Sequence, residues 1–344
     1  MIQPLPGLLA AVDPFLSGLL ASPAARRRIA ERAASLPPIW SQSCIECRLT
    51  AQAEDRCDLL FCASRQDGGQ RALAARLRSG RPIPELGRAH RFWEAWADPE
   101  SEIGRSVPVV WLEIDDTPDD RAPDPFVFMT LDPTYGSAAS ASAGLSPERA
   151  RALAEEGLRL MLDDAPDRAA LELFERCARL LPEGGYMLHL TTMPQRGSRD
   201  LRVSAAMFVH QISSWLGAIG WPGDARTLSL LLDLLGLPKG LVAVHFEIGD
   251  AVRPTVALDF RPRARPDESP VWRALLDCLV ELGVCDRARG QAALDWAGTQ
   301  LVDLPEAAWS MRVQRELMFK LRVQPDGSLE VKAYLGIFSS YAVF

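Results

Sequence analysis

The chain has 344 residues, 48% of them hydrophobic and 24% charged, with a formal net charge of −7. Those proportions suit a globular chain with a sizeable core, and the acidic balance argues against nucleic acid as the main partner, because phosphate binding needs surplus cations. No run of about 18 apolar residues occurs, so no membrane span is expected. The N-terminus lacks a basic n-region, and seven cysteines, an odd number, fit free thiols in a reducing cytoplasm.

The chain opens with two helical stretches, roughly Leu8–Leu20 and Ala24–Ser35, split by Ser22-Pro23. Period-2 alternation then marks a first strand pair, Cys44–Thr50 with Cys57–Ser64. Helical periodicity returns over Gln70–Arg78 and Pro84–Ala97, and a second strand pair follows, Val109–Asp115 with Phe126–Asp132. Ser137–Gly144, rich in Ser and Ala, reads as a loop. Ser146-Pro-Glu-Arg opens a helix to Leu162, with a serine N-cap and proline at the first helical position. Asp167–Leu181 is the next helix, and Tyr186–Thr192 with Leu201–Phe208 is the third strand pair. Helices at Val209–Ile219 and Ala225–Leu235 precede the fourth pair, Leu241–Ile248 with Thr255–Phe260. Helices at Ser269–Leu282 and Asp286–Thr299 precede the fifth, Glu316–Val323 with Leu329–Phe338. Gln195-Arg-Gly-Ser and Pro325-Asp-Gly-Ser supply the clearest hairpin turns.

An α-α-β-β order repeated five times predicts an α+β chain: a ten-stranded antiparallel barrel with a polar lumen, ringed by helices, over residues 1–344 as one domain. Ten antiparallel strands need their edges closed or covered, and ten leave more interior than the eight that side chains fill. The strand faces agree. In the last strand Leu329, Val331, Ala333, Leu335 and Ile337 suit packing under helices, while Glu330, Lys332, Tyr334, Gly336 and Phe338 form the other face. The preceding strand splits into Leu317, Phe319, Leu321, Val323 against Glu316, Met318, Lys320, Arg322. An open sheet with a solvent-facing polar side is the competing architecture.

The first strand alternates Ile45, Cys47 and Leu49 with Glu46, Arg48 and Thr50, and the last carries Lys332-Ala-Tyr334. Only three lysines occur, Lys239, Lys320 and Lys332, and two of them fall on the polar face of the last hairpin. In its repeated topology, and in a K-x-Y pattern typical of a diphosphate-binding strand, the chain resembles the aromatic prenyltransferase barrel family, also called ABBA or PT barrels. The resemblance implies a cytoplasmic transferase of bacterial secondary metabolism that moves an allylic group from a diphosphate to an aromatic or peptide acceptor. By resemblance Arg48, Arg202, Lys320, Lys332 and Tyr334 hold the diphosphate, and Glu46 orients or deprotonates the acceptor. Trp111, Phe126 and Phe128 shield the carbocation, which suits the negative faces of aromatic rings.

The lumen so inferred is mixed rather than basic. Trp111, Glu113, Asp115 and Asp132 line the second pair, and His245, Glu247 and Asp259 the fourth. Where fungal-type members tend to have Arg two residues before the lysine, this chain has Glu330. Inward carboxylates and cations can simply pair and fill the lumen with no catalysis, and three further readings follow. Mg²⁺ on Asp115, Asp132 or Asp259 holds the diphosphate; the same barrel runs acid–base chemistry such as a cyclisation, with Glu113 and Glu247 as catalytic carboxylates; or the barrel binds a small molecule or peptide without turnover. Cys44-Ile-Glu-Cys47 has redox and zinc spacing, but residues three apart on a strand point to opposite faces, so the two thiols do not converge. His189 and His245 are candidate acids or bases on strands. No G-x-x-x-x-G-K-[ST] or G-x-S-x-G element occurs.

Overall fold

In the strands, every second side chain belongs to one continuous core. Ile45 and Cys47, Leu59 and Phe61, Val110 and Leu112, Val203 and Ala205, Leu317 and Phe319, and Val331 and Ala333 are all buried in a single hydrophobic cluster with the helices. The computed structural model describes residues 5–341 apart from 51–55, 81–83, 118–123, 136–143, 163–164, 236–240, 261–265, 267–268, 305–306 and 308. All of the expected loop Ser137–Gly144 except Gly144 therefore lies outside the described residues.

The strands are β1 (Gln42–Arg48), β2 (Cys57–Ser64), β3 (Val109–Ile114), β4 (Phe126–Thr130), β5 (Tyr186–Thr192), β6 (Leu201–Phe208), β7 (Leu241–Ile248), β8 (Val252–Phe260), β9 (Gly298–Val302), β10 (Met311–Val323) and β11 (Leu329–Tyr341). Pairing runs from β1 through β8 to β10, then β11, and back to β1, antiparallel throughout. That closes ten strands into a ring and removes the edges an open sheet would expose. The expected ten-stranded barrel is the observed fold, and the open-sheet alternative is excluded.

Helices fill the connections: α1 (Leu5–Val12) and α2 (Pro23–Ser35), α3 (Gly69–Arg78), α4 (His90–Ala97) and α5 (Glu102–Ser106), α6 (Pro147–Met161) and α7 (Arg168–Arg179), α8 (Ile212–Ala218) and α9 (Ala225–Leu235), α10 (Pro270–Glu281) and α11 (Arg287–Leu294). Three of them start on the same Ser-Pro device. The hydroxyls of Ser22, Ser146 and Ser269 accept from the backbone N–H groups of Ala25, Arg149 and Val271, with proline at the first helical position. The amphipathic helices then bury their apolar faces, for example Phe92, Trp93 and Trp96 of α4 and Leu171, Phe174 and Cys177 of α7.

Four departures from the sequence reading matter. The segment 298–302 is strand, not the end of a helix; β9 sits end to end with β8 along one edge of β10, pairing Met311–Arg315 where β8 pairs Phe319–Val323. Its Leu301 is 57% exposed, so it has no apolar alternation to announce it. The short α5 is capped by Ser101, whose hydroxyl accepts from Gly104 N–H at 2.8 Å. Strands β3 and β4 stop at Ile114 and Thr130, leaving Asp115 and Asp132 just past their ends. The last hairpin is longer than expected, running out to Met311 and Tyr341.

Gly290 lets α11 lie against α10, since a Cβ there would come within 2.1 Å of Leu276 Cδ1 and 2.9 Å of Cys285 Sγ. Gly290→Ala is expected to destabilise on balance, because overpacking costs about 1–3 kcal/mol while the better helix former returns about 1 kcal/mol. A lower urea midpoint at unchanged slope checks it.

Candidate active site

The register turns the polar faces inward together. Glu46 lies opposite Asp58 on one side and Tyr334 on the other, Lys332 opposite Arg48 and Lys320, and Lys320 opposite Asp259. On the far side Arg202 is opposite Glu247 and Thr191, and His245 opposite Ser204 and Ala257. A bulge in β5 between Met187 and His189 brings His189, rather than Leu188, onto the lumen face beside Ser204.

These groups do not leave the lumen empty; they pair across it. Lys332 Nζ donates to Glu46 Oε1 at 2.7 Å, and Tyr334 Oη donates a short hydrogen bond to Glu46 Oε2. Lys320 Nζ donates to Tyr334 Oη at 3.1 Å and lies 3.4 Å from Asp259 Oδ1, whose Oδ2 is 2.5 Å from His245 Nε2. His189 Nδ1 lies 3.1 Å from Thr130 Oγ1. One chain of contacts thus runs from β11 and β1 through β10 and β8 to β7. The two lumen lysines take partners on neighbouring strands, Glu46 on β1 and Asp259 on β8.

Burial and pairing set the charges. Burial would raise the Glu46 carboxyl, but the ammonium groups of Lys332 and Lys320 outweigh it and hold Glu46 well below the usual carboxylate range. Asp259 is likewise lowered despite burial, by His245 and Lys320. Burial pushes Lys320 down against the pull of Asp259, and pushes Tyr334 up, helped by the Glu46 charge. Burial also pushes His245 down to about 4 and His189 down to about 3, so both rings are neutral near pH 7.

Nearer the hairpin turns lies a second belt of charge. Arg48 pairs with Asp58 at 3.0 Å. Arg196, on the β5–β6 turn, reaches back to Glu113 at 2.5 Å and to Asp115, with its guanidinium 4.5 Å from the Phe126 ring centroid. Arg322 approaches Glu330 only to 3.8 Å. Arg202 has no carboxylate within 4 Å among the described residues; its guanidinium meets Met193 Sδ at 3.3 Å. Burial and the nearby Arg202 charge pull the Arg322 guanidinium below its ordinary value. Arg202 and Arg322 line one small cavity with His245, Glu247, Thr255 and Ala257, of about 10 Å³, room for about one water. The two guanidiniums face a common space, with Glu247 opposite Arg202 and Glu330 3.8 Å from Arg322, and planar donors of this kind suit phosphate.

The named candidates therefore separate into groups. Glu46, Lys320, Lys332 and Tyr334 meet in one network, and Arg202 stands in the cavity. Arg48 is committed to Asp58, and Glu113 to Arg196, outside both. Glu247 faces the cavity across from Arg202. Trp111 and Phe128 are neighbours in register, half-buried on the lumen face, whereas Arg196 covers the Phe126 ring. The three carboxylates considered for Mg²⁺ are engaged elsewhere. Asp115 binds Arg196, Asp259 binds His245 and Lys320, and Asp132 accepts from the N–H and hydroxyl of Thr134 at 2.9 and 2.8 Å. With each of the three committed to a cation or to hydrogen-bond donors, these carboxylates do not fit a Mg²⁺ site, which takes one or two free carboxylates beside the phosphates. Cys44 faces the lumen, while Cys47 lies outside it 3.8 Å from Cys57, so the two cysteines of the C-x-x-C diverge. Sequence reasoning passed over Arg322, although it shares the face of Lys320, and over Arg196, which sits in a turn where no periodicity points to it.

No protein-family profile matches the chain, and no curated protein does. Among solved structures it is similar to a 5-dimethylallyltryptophan synthase from Streptomyces coelicolor, at 14% identity over 96% of this chain and 95% of that one, with a TM-score of 0.56. A structure of that synthase in complex with DMASPP and Trp covers 96% of this chain and 93% of that one at 14% identity, with a TM-score of 0.54. AnaPT from Neosartorya fischeri covers 87% of this chain and 78% of its own at 12% identity and a TM-score of 0.50. This chain has the aromatic prenyltransferase barrel fold. No helix among the described residues is long and apolar enough to cross a membrane.

The neutral histidines of this PT barrel make an acid-sensitivity prediction. A histidine lowered on folding takes up its proton first in the unfolded chain, so stability falls as pH drops below about 6.5. Between pH 6.5 and 5, His189 and His245 are each expected to contribute a slope approaching about 1.4 kcal/mol per pH unit. His189→Gln should roughly halve that slope, measured as urea midpoint against pH.

Proposed function

We propose that the barrel transfers an allylic group from a diphosphate donor to a small aromatic acceptor held in its lumen. The observation that carries this reading is the Arg202–Arg322 pair, two half-buried guanidiniums that face one small cavity inside a PT barrel, which a donor must widen; no carboxylate lies within 4 Å of Arg202 among the described residues, and Glu330 comes no closer to Arg322 than 3.8 Å. Ionising an allylic C–O bond leaves negative charge on the diphosphate, and preorganised cations in a low-dielectric lumen stabilise it as it forms. The fold shared with a synthase solved in complex with DMASPP and Trp supports the same class of donor and acceptor. Lys320 adds a third cation within electrostatic reach of Arg202. Trp111 and Phe128 offer ring faces to the allylic cation.

Three of the sequence assignments take a different role here. Lys332 and Tyr334 serve Glu46, and together they hold the last hairpin to β1. Arg48 neutralises Asp58. The donor site therefore lies toward β6 and β10 and away from β1 and β11, and it calls for no divalent cation.

Titration with dimethylallyl S-thiolodiphosphate by calorimetry, with and without Mg²⁺, tests the reading. Binding is expected in both conditions. Arg202→Ala and Arg322→Ala should each weaken it about 10- to 100-fold, the range for charge-assisted hydrogen bonds. No binding in either condition refutes prenyl transfer, and binding that both substitutions leave unchanged refutes the site.

A further inference from the structure

The carboxylate on β1 is poorly placed to act as a base. Both Glu46 oxygens are engaged, one by the Lys332 ammonium and one by the Tyr334 hydroxyl, and the residue is only 2% exposed. Taking a proton there breaks an ion pair and strands an ammonium in the lumen.

His245 differs on each count. It projects from β7 into the cavity that Arg202 and Arg322 line. Its Nε2 is 2.5 Å from Asp259 Oδ2, and because the ring is neutral and the carboxylate ionised, Nε2 carries the proton and donates it. Asp259 is itself fixed by Lys320 at 3.4 Å. Nδ1 then bears a lone pair, with no hydrogen-bond partner among the described residues. A carboxylate that fixes the tautomer and orientation of an imidazole, leaving the other nitrogen to accept a proton, is the logic of a histidine base with an orienting acid. The charged groups around it are Asp259, Lys320 and Arg202, with Arg322 and Glu247 on the same cavity and His189 across the lumen.

We propose that His245, positioned by Asp259, is the base that removes the acceptor's proton, and that Glu46 is a structural anion. This assignment rests on the prenyl-transfer reading. The allylic C1–O bond breaks, and its electron pair leaves with the diphosphate onto Arg202 and Arg322. An aromatic π pair of the acceptor forms the new bond to C1 and leaves an arenium cation. The C–H bond at the attacked carbon then breaks, its electron pair restoring aromaticity and its proton passing to His245 Nδ1. The resulting imidazolium lies against the Asp259 carboxylate, and its proton exchanges with solvent.

Steady-state assays of the full chain with dimethylallyl diphosphate and L-tryptophan, unlabelled or deuterated on the indole ring, test this. With His245 in place proton loss is fast and the isotope effect is expected near one. His245→Gln should lower kcat about 10²- to 10⁴-fold, the usual share of a general base, and raise the isotope effect well above one as proton loss becomes limiting. Asp259→Asn should do the same to a smaller extent. An isotope effect that stays at one in His245→Gln, or that appears instead in Glu46→Gln, overturns the assignment. Nitrogen-15 spectra of the wild-type histidines give a second readout that does not need turnover. Nε2–H with bare Nδ1 is expected for His245, and the Nδ1–H tautomer overturns the assignment. Turnover at the wild-type rate in His245→Gln defeats only the base. A wild type that neither binds nor turns over the donor defeats prenyl transfer itself and the base with it.

Discussion

Closing ten strands into a ring turns every second residue of the sheet inward, and this chain has placed charge at many of those positions. A charge taken from water must find a partner or change its protonation state. Most lumen groups meet that requirement, each in its own way. Lys332 finds Glu46, Lys320 shares Asp259 with His245, Arg196 crosses from a hairpin turn to Glu113 and Asp115, and the two lumen histidines give up their charge. The outer face has no such problem, because aliphatic and aromatic side chains pack there under the helices.

The few groups that escape pairing are where a ligand gains most. Arg202 pulls the Arg322 guanidinium down, and Glu330, 3.8 Å away, offsets this only in part, so an anion arriving between the two arginines relieves a cost already present in the folded chain. His245 has one ring nitrogen fixed and the other without a partner among the described residues. The same small cavity is lined by both features, the two guanidiniums and the imidazole, together with Glu247. A lumen that reads as mixed in composition is therefore ordered in space, with matched pairs on the β11–β1 side and unmatched groups toward β6, β7 and β10.

Much of this was legible residue by residue. The alternation in Tyr186–Thr192 and Leu201–Phe208 located β5 and β6 to the residue, and Ser146-Pro147 located the start of α6. The inward face of the last hairpin was legible too, because Lys320, Lys332 and Tyr334 keep strict parity over strands free of bulges. Shorter or irregular elements were not. Neither α5 nor β9 is long enough to show a period, and β9 exists because the extended start of β10 offers it an edge. The bulge in β5 depends on pairing with β6, and it brings His189 rather than Leu188 to the lumen face.

Within the site the division is sharper. The sequence by itself determined which residue types enter the lumen, since side-chain parity along a strand follows from backbone geometry alone. It therefore named Glu46, Arg202, Lys320, Lys332, Tyr334 and His245 as lumen residues, and the five α-α-β-β units that place them. Only the tertiary structure decided which of these pair and which stay open. Partnership depends on register between strands far apart in the chain, as with Glu46 and Lys332, and on a turn residue such as Arg196 reaching strands it never pairs with. Parity sets a side chain's direction within a few residues; the distance between two charges is set only once the ring has closed.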